Sequence, residues 1–241
     1  MSKVLVKSAF TVGLLIMLMA VPVYGASVNK SIKVDAGSES DGATTVNGSV
    51  SVGAGAVVTG TLKTVNGKIR VDENSRIENA VTVNGSLSVA DNVQAQSLTT
   101  VNGSVSVGEN STIDGEIGAV NGRITLESGV TVAADVGNVN GDIEFEGSVV
   151  GGNVKTVSGN VDLRDGAVIK GDLIIEKPSM WGWGGKKSRV PEIVIGPGSR
   201  VEGKIVLERE VKLYISDSAE VGGVEGEMSM SDAVRFSGNR P

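Results

Sequence analysis

The sequence predicts an all-β chain wound as a single-stranded parallel β-helix, a β-solenoid of about ten turns of 18–19 residues. Three observations carry this. The decapeptide TTVNGSVSVG stands at residues 44–53 and again, letter for letter, at 99–108. Aligned on V-N-G, valines recur at Val28, Val46, Val65, Val83, Val101, Val120, Val139 and Val157, spaced 18, 19, 18, 18, 19, 19 and 18 apart. Apolar residues also alternate at spacing two, as in Val50-Ser51-Val52 and Ile124-Thr125-Leu126, in segments too short for helices.

Taken in chain order, the first element is a leader. Lys3 and Lys7 precede an apolar run over 9–23, followed by the small residues Gly25 and Ala26, which is a secretory signal pattern over 1–25 with cleavage after Gly25. The run is shorter than the ~20 residues that cross a bilayer, and an uncleaved inner-membrane anchor is the alternative. The expected location is the periplasm or the cell surface. Losing Lys3 and Lys7 takes 22 basic residues to 20 against 28 acidic, so the net charge moves from −6 to −8.

The repeat region spans 26–226. Four residues after each V-N-G valine comes a second apolar column (Ile32, Val50, Ile69, Leu87, Val105, Ile124, Ile143, Val161), and two further on a third (Val34, Val52, Val71, Val89, Val107, Leu126, Phe145, Leu163). A fourth, looser column includes Ile77, Ile113 and Val132, and a fifth runs Leu62, Val81, Leu98, Ile117, Val136, Val154, Leu173. All five are expected to face inward. With 34 glycines and only 3% aromatics, the core is built from small branched side chains and the corners from glycine. Stacked at ~4.8 Å per turn, ten turns make a rod roughly 48 Å long.

The first corner pairs an asparagine column (Asn47, Asn66, Asn84, Asn102, Asn121, Asn140) with a glycine column (Gly48, Gly67, Gly85, Gly103, Gly122, Gly141, Gly159). Asn-Gly suits positive φ, so the expectation is a tight turn between two inward-facing positions, with the amides stacked as a hydrogen-bonded ladder. The competing reading of the amides is a regular ligand-binding array. The first turn is atypical, with Lys30 in the glycine column and Ser40 and Thr44 near apolar positions, as an end turn should be.

The frame resumes at Ile193, Ile195, Val201 and Ile205, and Val211 and Leu213 begin a last turn. Eighteen residues separate Ile175 from Ile193 where four are expected, so about fourteen are inserted near 177–190. This loop holds Trp181 and Trp183 with Lys186, Lys187 and Arg189, a candidate contact surface for sugars, lipid headgroups or protein, or a flap over an apolar side of the rod. Residues 227–241 lose the period and read as a tail or a cap anchored by Phe236.

Chemistry is narrowly bounded. Histidine and cysteine are both absent, which removes nitrogen- and sulfur-ligated zinc, thiolate nucleophiles, disulfides and histidine-dependent triads. The acidic balance argues against nucleic acid. What remains is an outward face where Arg123, Thr125 and Glu127 stack over Asp142, Glu144 and Glu146, and these over Asn160, Asp162 and Arg164. Glu127, Glu144, Glu146 and Asp162 are candidates for a calcium site or a glycosidase carboxylate pair, against an ordinary solvated face. No cofactor is expected.

The stretch GPGSRVEGKIVLEREVKLYISDSAEVGGVEG, with its apolar-x-Gly-x-apolar beat, resembles the bactofilins, polymer-forming bacterial cytoskeletal proteins. The TTVNGSVSVG units are similar to exported β-helical adhesins of bacteria. The resemblance covers about 28–226 and implies a right-handed parallel β-helix without cofactor, joining end to end without nucleotide. The leader departs from bactofilins, which act on the cytoplasmic side. The expected function is that of a non-enzymatic, exported structural, self-associating or adhesive element of the cell envelope, partnering itself end to end. The alternative is a carbohydrate-binding or carbohydrate-active β-helix that takes envelope glycan through the Trp181/Trp183 loop or the acidic face.

Overall fold

The structure is a computed structural model and describes residues 27–178 and 190–241. The leader, Trp181, Trp183, Lys186, Lys187 and Arg189 lie outside the described residues. The chain is an all-β parallel solenoid of ten turns, each with three sides. The first side is a sheet of eleven strands, from Ile32–Val34 and Val50–Val52 through to Val234–Phe236. The second side is a stack of short strands such as Val57–Val58 and Thr112–Ile113, and the third a stack of strands such as Leu62–Asn66 and Ile117–Asn121. Among the described residues the only helical segment is the 3-10 turn Met230–Asp232.

Like residues lie on like. Ile32 pairs with Val50, Val50 with Ile69, Ile69 with Leu87, Leu87 with Val105 and Val105 with Ile124. The alternation sends Val50 and Val52 into the interior at 0% exposure and leaves Ser51 half-buried outside. Val161 pairs with Ile193 and Leu173 with Ile205, each 32 positions on instead of the 19 of a turn with the longer corner. Ile175 pairs with Thr156, from which five steps lead to Val161, so the insertion is thirteen residues, one fewer than expected, and falls between Leu173–Ile175 on the third side and Glu192–Ile195 on the first, at the asparagine-glycine corner.

Register also explains why turns alternate between 18 and 19 residues. From Val58 to Leu62 and from Ile113 to Ile117 the corner between second and third sides takes four steps, whereas Ile77 to Ala80 and Ala95 to Leu98 take three. In those two turns the strand runs unbroken through the corner, as Arg76–Asn84 and Gln94–Asn102. The turn ending at Val157 drops its residue elsewhere, between Phe145 and Val150, where Gly147 adopts φ 51°.

Three expectations need correction. The valines of V-N-G are not core residues: Val46, Val65, Val83, Val101, Val120, Val139 and Val157 are half-buried on the outer surface, and Val28 is 60% exposed. The inward position is the residue before each valine, giving a buried column of Thr45, Thr64, Thr82, Thr100, Ala119, Asn138 and Thr156. Polar groups are tolerated there because backbone carbonyls at the corner need donors. Thr64 Oγ1 donates to the Gly48 carbonyl at 2.7 Å, Thr82 to Gly67 at 3.1 Å and Thr100 to Gly85 at 3.0 Å. Asn138 Nδ2 donates to Gly141 O at 2.6 Å and its Oδ1 accepts from Thr156 Oγ1 at 2.6 Å.

Secondly, Val81 is outside the fifth column. Ala80 pairs with both Leu62 and Leu98 and is 1% exposed, while Val81 pairs with Lys63 and Thr99 on the outer surface. Strand alternation outweighs the greater hydrophobicity of valine.

Thirdly, the corner glycines do not owe their place to positive φ, which among Gly48, Gly67, Gly85, Gly103, Gly122, Gly141 and Gly159 occurs only at Gly141. Close approach is the reason. A Cβ on Gly67 would lie inside the contact distance of the Gly48 carbonyl oxygen, one on Gly85 inside that of Gly67, and so on up the column to Gly159 over Gly141. Positive φ instead marks the corner between first and second sides, at Asn74, Asn92 and Asn110 (57°, 57° and 55°), with Gly37, Gly55 and Gly129 in equivalent places.

The two ends differ. At the C-terminal end Met228, Met230 and Ala233 pack against the core, Phe236 is 9% exposed, and Val234–Phe236 adds a strand to Lys212–Ser216. At the N-terminal end Ile32–Val34 pairs on one edge only, among the described residues, with Val50–Val52.

Candidate functional site

The most regular exterior feature is the amide ladder. Asn47 Nδ2 donates to Asn29 Oδ1 at 2.8 Å, Asn66 to Asn47 at 2.8 Å and Asn84 to Asn66 at 2.8 Å. Asn102 donates to Asn84, Asn121 to Asn102 and Asn140 to Asn121, each at 2.9 Å. Asn29, which sequence reading did not place in the column, is its lowest member. Each interior amide gives one hydrogen bond and takes one, all with the same polarity, so successive bonds reinforce one another. The column ends at Ser158, which follows Val157 where each earlier turn has asparagine. These amides are spent on each other, which favours the structural reading over a ligand array.

The acidic face stacks as the sequence suggests, with Thr125 beside Glu144, Glu144 beside Asp162 and Glu146 beside Arg164. Its carboxylates are largely matched by cations. Arg123 reaches Asp142 at 3.2 Å and Glu144 at 3.3 Å, and Arg164 grips Asp162. Glu127 and Glu146 make no ion pair among the described residues, and at Glu127 burial, then the charges of Asp91, Glu109 and Glu146, push the carboxyl above the ordinary range. Among the described residues no three carboxylates converge as metal ligands, so the calcium candidate lacks a ligand set. The recesses on this face, about 50 Å³ beside Glu144, Glu146 and Asp162 and about 110 Å³ beside Asp142, Glu144 and Asn160, are smaller than the about 300–1,000 Å³ of small-ligand sites.

A larger recess sits elsewhere, at the second-to-third corner. Here two consecutive short turns run straight between two longer ones and leave a hollow of about 450 Å³, lined by Arg76, Glu78, Gln94, Gln96 and Asp114 with Thr59 at its rim. Its signal in the sequence is the pair of consecutive 18-residue spacings from Val65 to Val101.

Ladder, threonine column and three-sided stack place the chain among single-chain parallel β-solenoids. Compared with protein-family models, curated proteins and solved structures, the chain matches none.

Proposed function

We propose that this chain is a non-enzymatic, exported rod of the bacterial cell envelope that works by self-association. The reading rests on one observation: among the described residues the first turn has an unpaired strand edge with nothing packed over it, whereas at the last turn, whose strand Val234–Phe236 is likewise paired on one edge only, Met228 and Met230 pack against the core and Phe236 is buried. Open edges accept another strand unless protected, so joining through the N-terminal edge is favoured over the C-terminal end. Export follows from the leader pattern, and the repeat grammar similar to bactofilins and exported adhesins fits the same role.

Ile32 N–H donates to Ser49 O at 2.9 Å, so in an alternating ladder the Lys33 N–H faces the open edge. Lys33→Pro removes that donor and spares the bonds to the second turn. Negative-stain microscopy and light scattering of the chain starting at Ala26 should show rods joined in a concentration-dependent way, and Lys33→Pro should leave single rods. Single rods of the unmodified chain at every concentration would reject self-association.

A further inference from the structure

We infer that the recess at the second-to-third corner is a binding site for a neutral polyhydroxylated ligand, one or two sugar units of a glycan. The inference stands apart from self-association and concerns a different surface.

Its origin is a backbone device. The corners at Gly60 and Gly115 each carry an extra residue and project, whereas Arg76–Asn84 and Gln94–Asn102 pass between them without a bend. The floor is rigid. Both strands are paired on each edge, Leu62 with Ala80 and Ala80 with Leu98 with Ile117, and Ser97 Oγ donates to Asn79 Oδ1 at 2.6 Å. A site held by two central strands is preformed and loses little entropy on binding.

The wall chemistry selects the ligand. Arg76 supplies guanidinium donors, one of them turned to Gln94 Oε1 at 3.3 Å, which leaves the Gln94 amide N–H groups available. Glu78, Gln96 and Asp114 make no side-chain hydrogen bond or ion pair with other described residues, unlike the asparagine ladder on the neighbouring corner. Glu78 and Asp114 repel anions, and Arg76 repels cations. A neutral molecule with many hydroxyls, each able to donate to a carboxylate and accept from an amide or guanidinium, satisfies all of these groups at once. An extended peptide is less suited, because its backbone would need a free strand edge and both floor strands have none. At about 450 Å³ the hollow falls within the range of small-ligand sites, about 300–1,000 Å³.

The test is calorimetric titration of the chain starting at Ala26 with cellobiose, maltose and chitobiose, with tetra-alanine as the peptide comparison. Saturable binding of at least one disaccharide is expected, weakened about tenfold or more by Gln96→Ala or Arg76→Ala with unchanged melting temperature. Insertion of a glycine after Asn79 restores the longer corner used by neighbouring turns and should abolish binding while the rod still folds. The inference is overturned by absence of saturable heat with all three sugars, by equal binding of tetra-alanine, or by binding that survives the recess variants but is lost in Trp181→Ala/Trp183→Ala. Lys33→Pro should bind as the unmodified chain does, so failure of self-association and failure of this site are read separately.

Discussion

The steric reading of the corner column is most sharply tested at Gly103. A methyl group there falls inside the contact distance of the Gly85 carbonyl oxygen and carbon, with Ser86 N at 3.1 Å, and these are backbone atoms that cannot swing aside. Relieving the overlap means parting two turns, and overpacking of this kind costs about 1–3 kcal/mol. The separation also strains hydrogen bonds at the corner: Thr100 to Gly85 at 3.0 Å, Asn102 to Asn84 at 2.9 Å and Asn121 to Asn102 at 2.9 Å. At about 0.5–1.5 kcal/mol each, the expected total for Gly103→Ala is about 2.5–7.5 kcal/mol, a fall in melting temperature of roughly 5–30 °C. Circular dichroism melts read it directly. The discriminating variant is Gly103→Asn. Were backbone conformation the constraint, asparagine would do better than alanine, since it tolerates positive φ. If close approach is the constraint, asparagine does no better. Gly55→Asn is the control, because Gly55 has φ 67°, no atom within 4 Å of an added Cβ, and asparagine at φ 57° in the next turn's Asn74. It should change stability by less than about 0.5 kcal/mol. A Gly103→Ala rod that melts within a few degrees of the original, or a clear advantage of asparagine there, refutes the argument.

Other expectations follow from the same geometry. Asn102→Ala removes one donated and one accepted amide bond, both solvent-exposed, and should lower stability by about 1–2 kcal/mol in urea titration. Leu126→Ala should cost about 2–5 kcal/mol, because Leu126 is wholly buried, whereas Val120→Ala on the outer surface should cost less than about 1 kcal/mol. Burial works to raise the Asp135 carboxyl, but hydrogen bonds from Lys155 (2.6 Å) and the Asn153 backbone (2.8 Å), with the Lys155 charge, hold it below its ordinary 3.8. A carboxyl depressed by folding stabilises the rod above its ordinary range, and that contribution is lost as pH falls through the folded value. Lys155→Gln should therefore flatten the loss of stability below about pH 4. Glu127 has the opposite sign, its carboxyl raised by burial and by Asp91, Glu109 and Glu146, so Glu127→Gln should match or exceed the original stability at pH 7.

The period, the stacking and the amide column were legible because repetition converts weak local signals into aligned ones. Valine tells apolar from polar but not inside from outside. In T-V-N-G the side chain pointing inward is the threonine, and only the corner carbonyls that Thr64, Thr82 and Thr100 satisfy reveal why. Val81 shows a related limit: hydrophobicity alone does not carry the parity of the strand, which fixes Ala80 as the buried residue. The glycine column was visible while its cause was not, since contact with the turn beneath is a property of two turns together. The recess was hidden in a difference of one residue per turn, a signal that acquires meaning only when the corner that loses the residue is known.

That one-residue difference has an evolutionary corollary. Because every lap ends on the same columns, a deletion or insertion at a bend is absorbed locally, and the next lap re-enters the stack in step, as it does even after thirteen added residues past Ile175. Length changes that would scramble an ordinary sheet become a means of sculpting the outside of this molecule, one hollow or one protrusion at a time, with the interior left untouched.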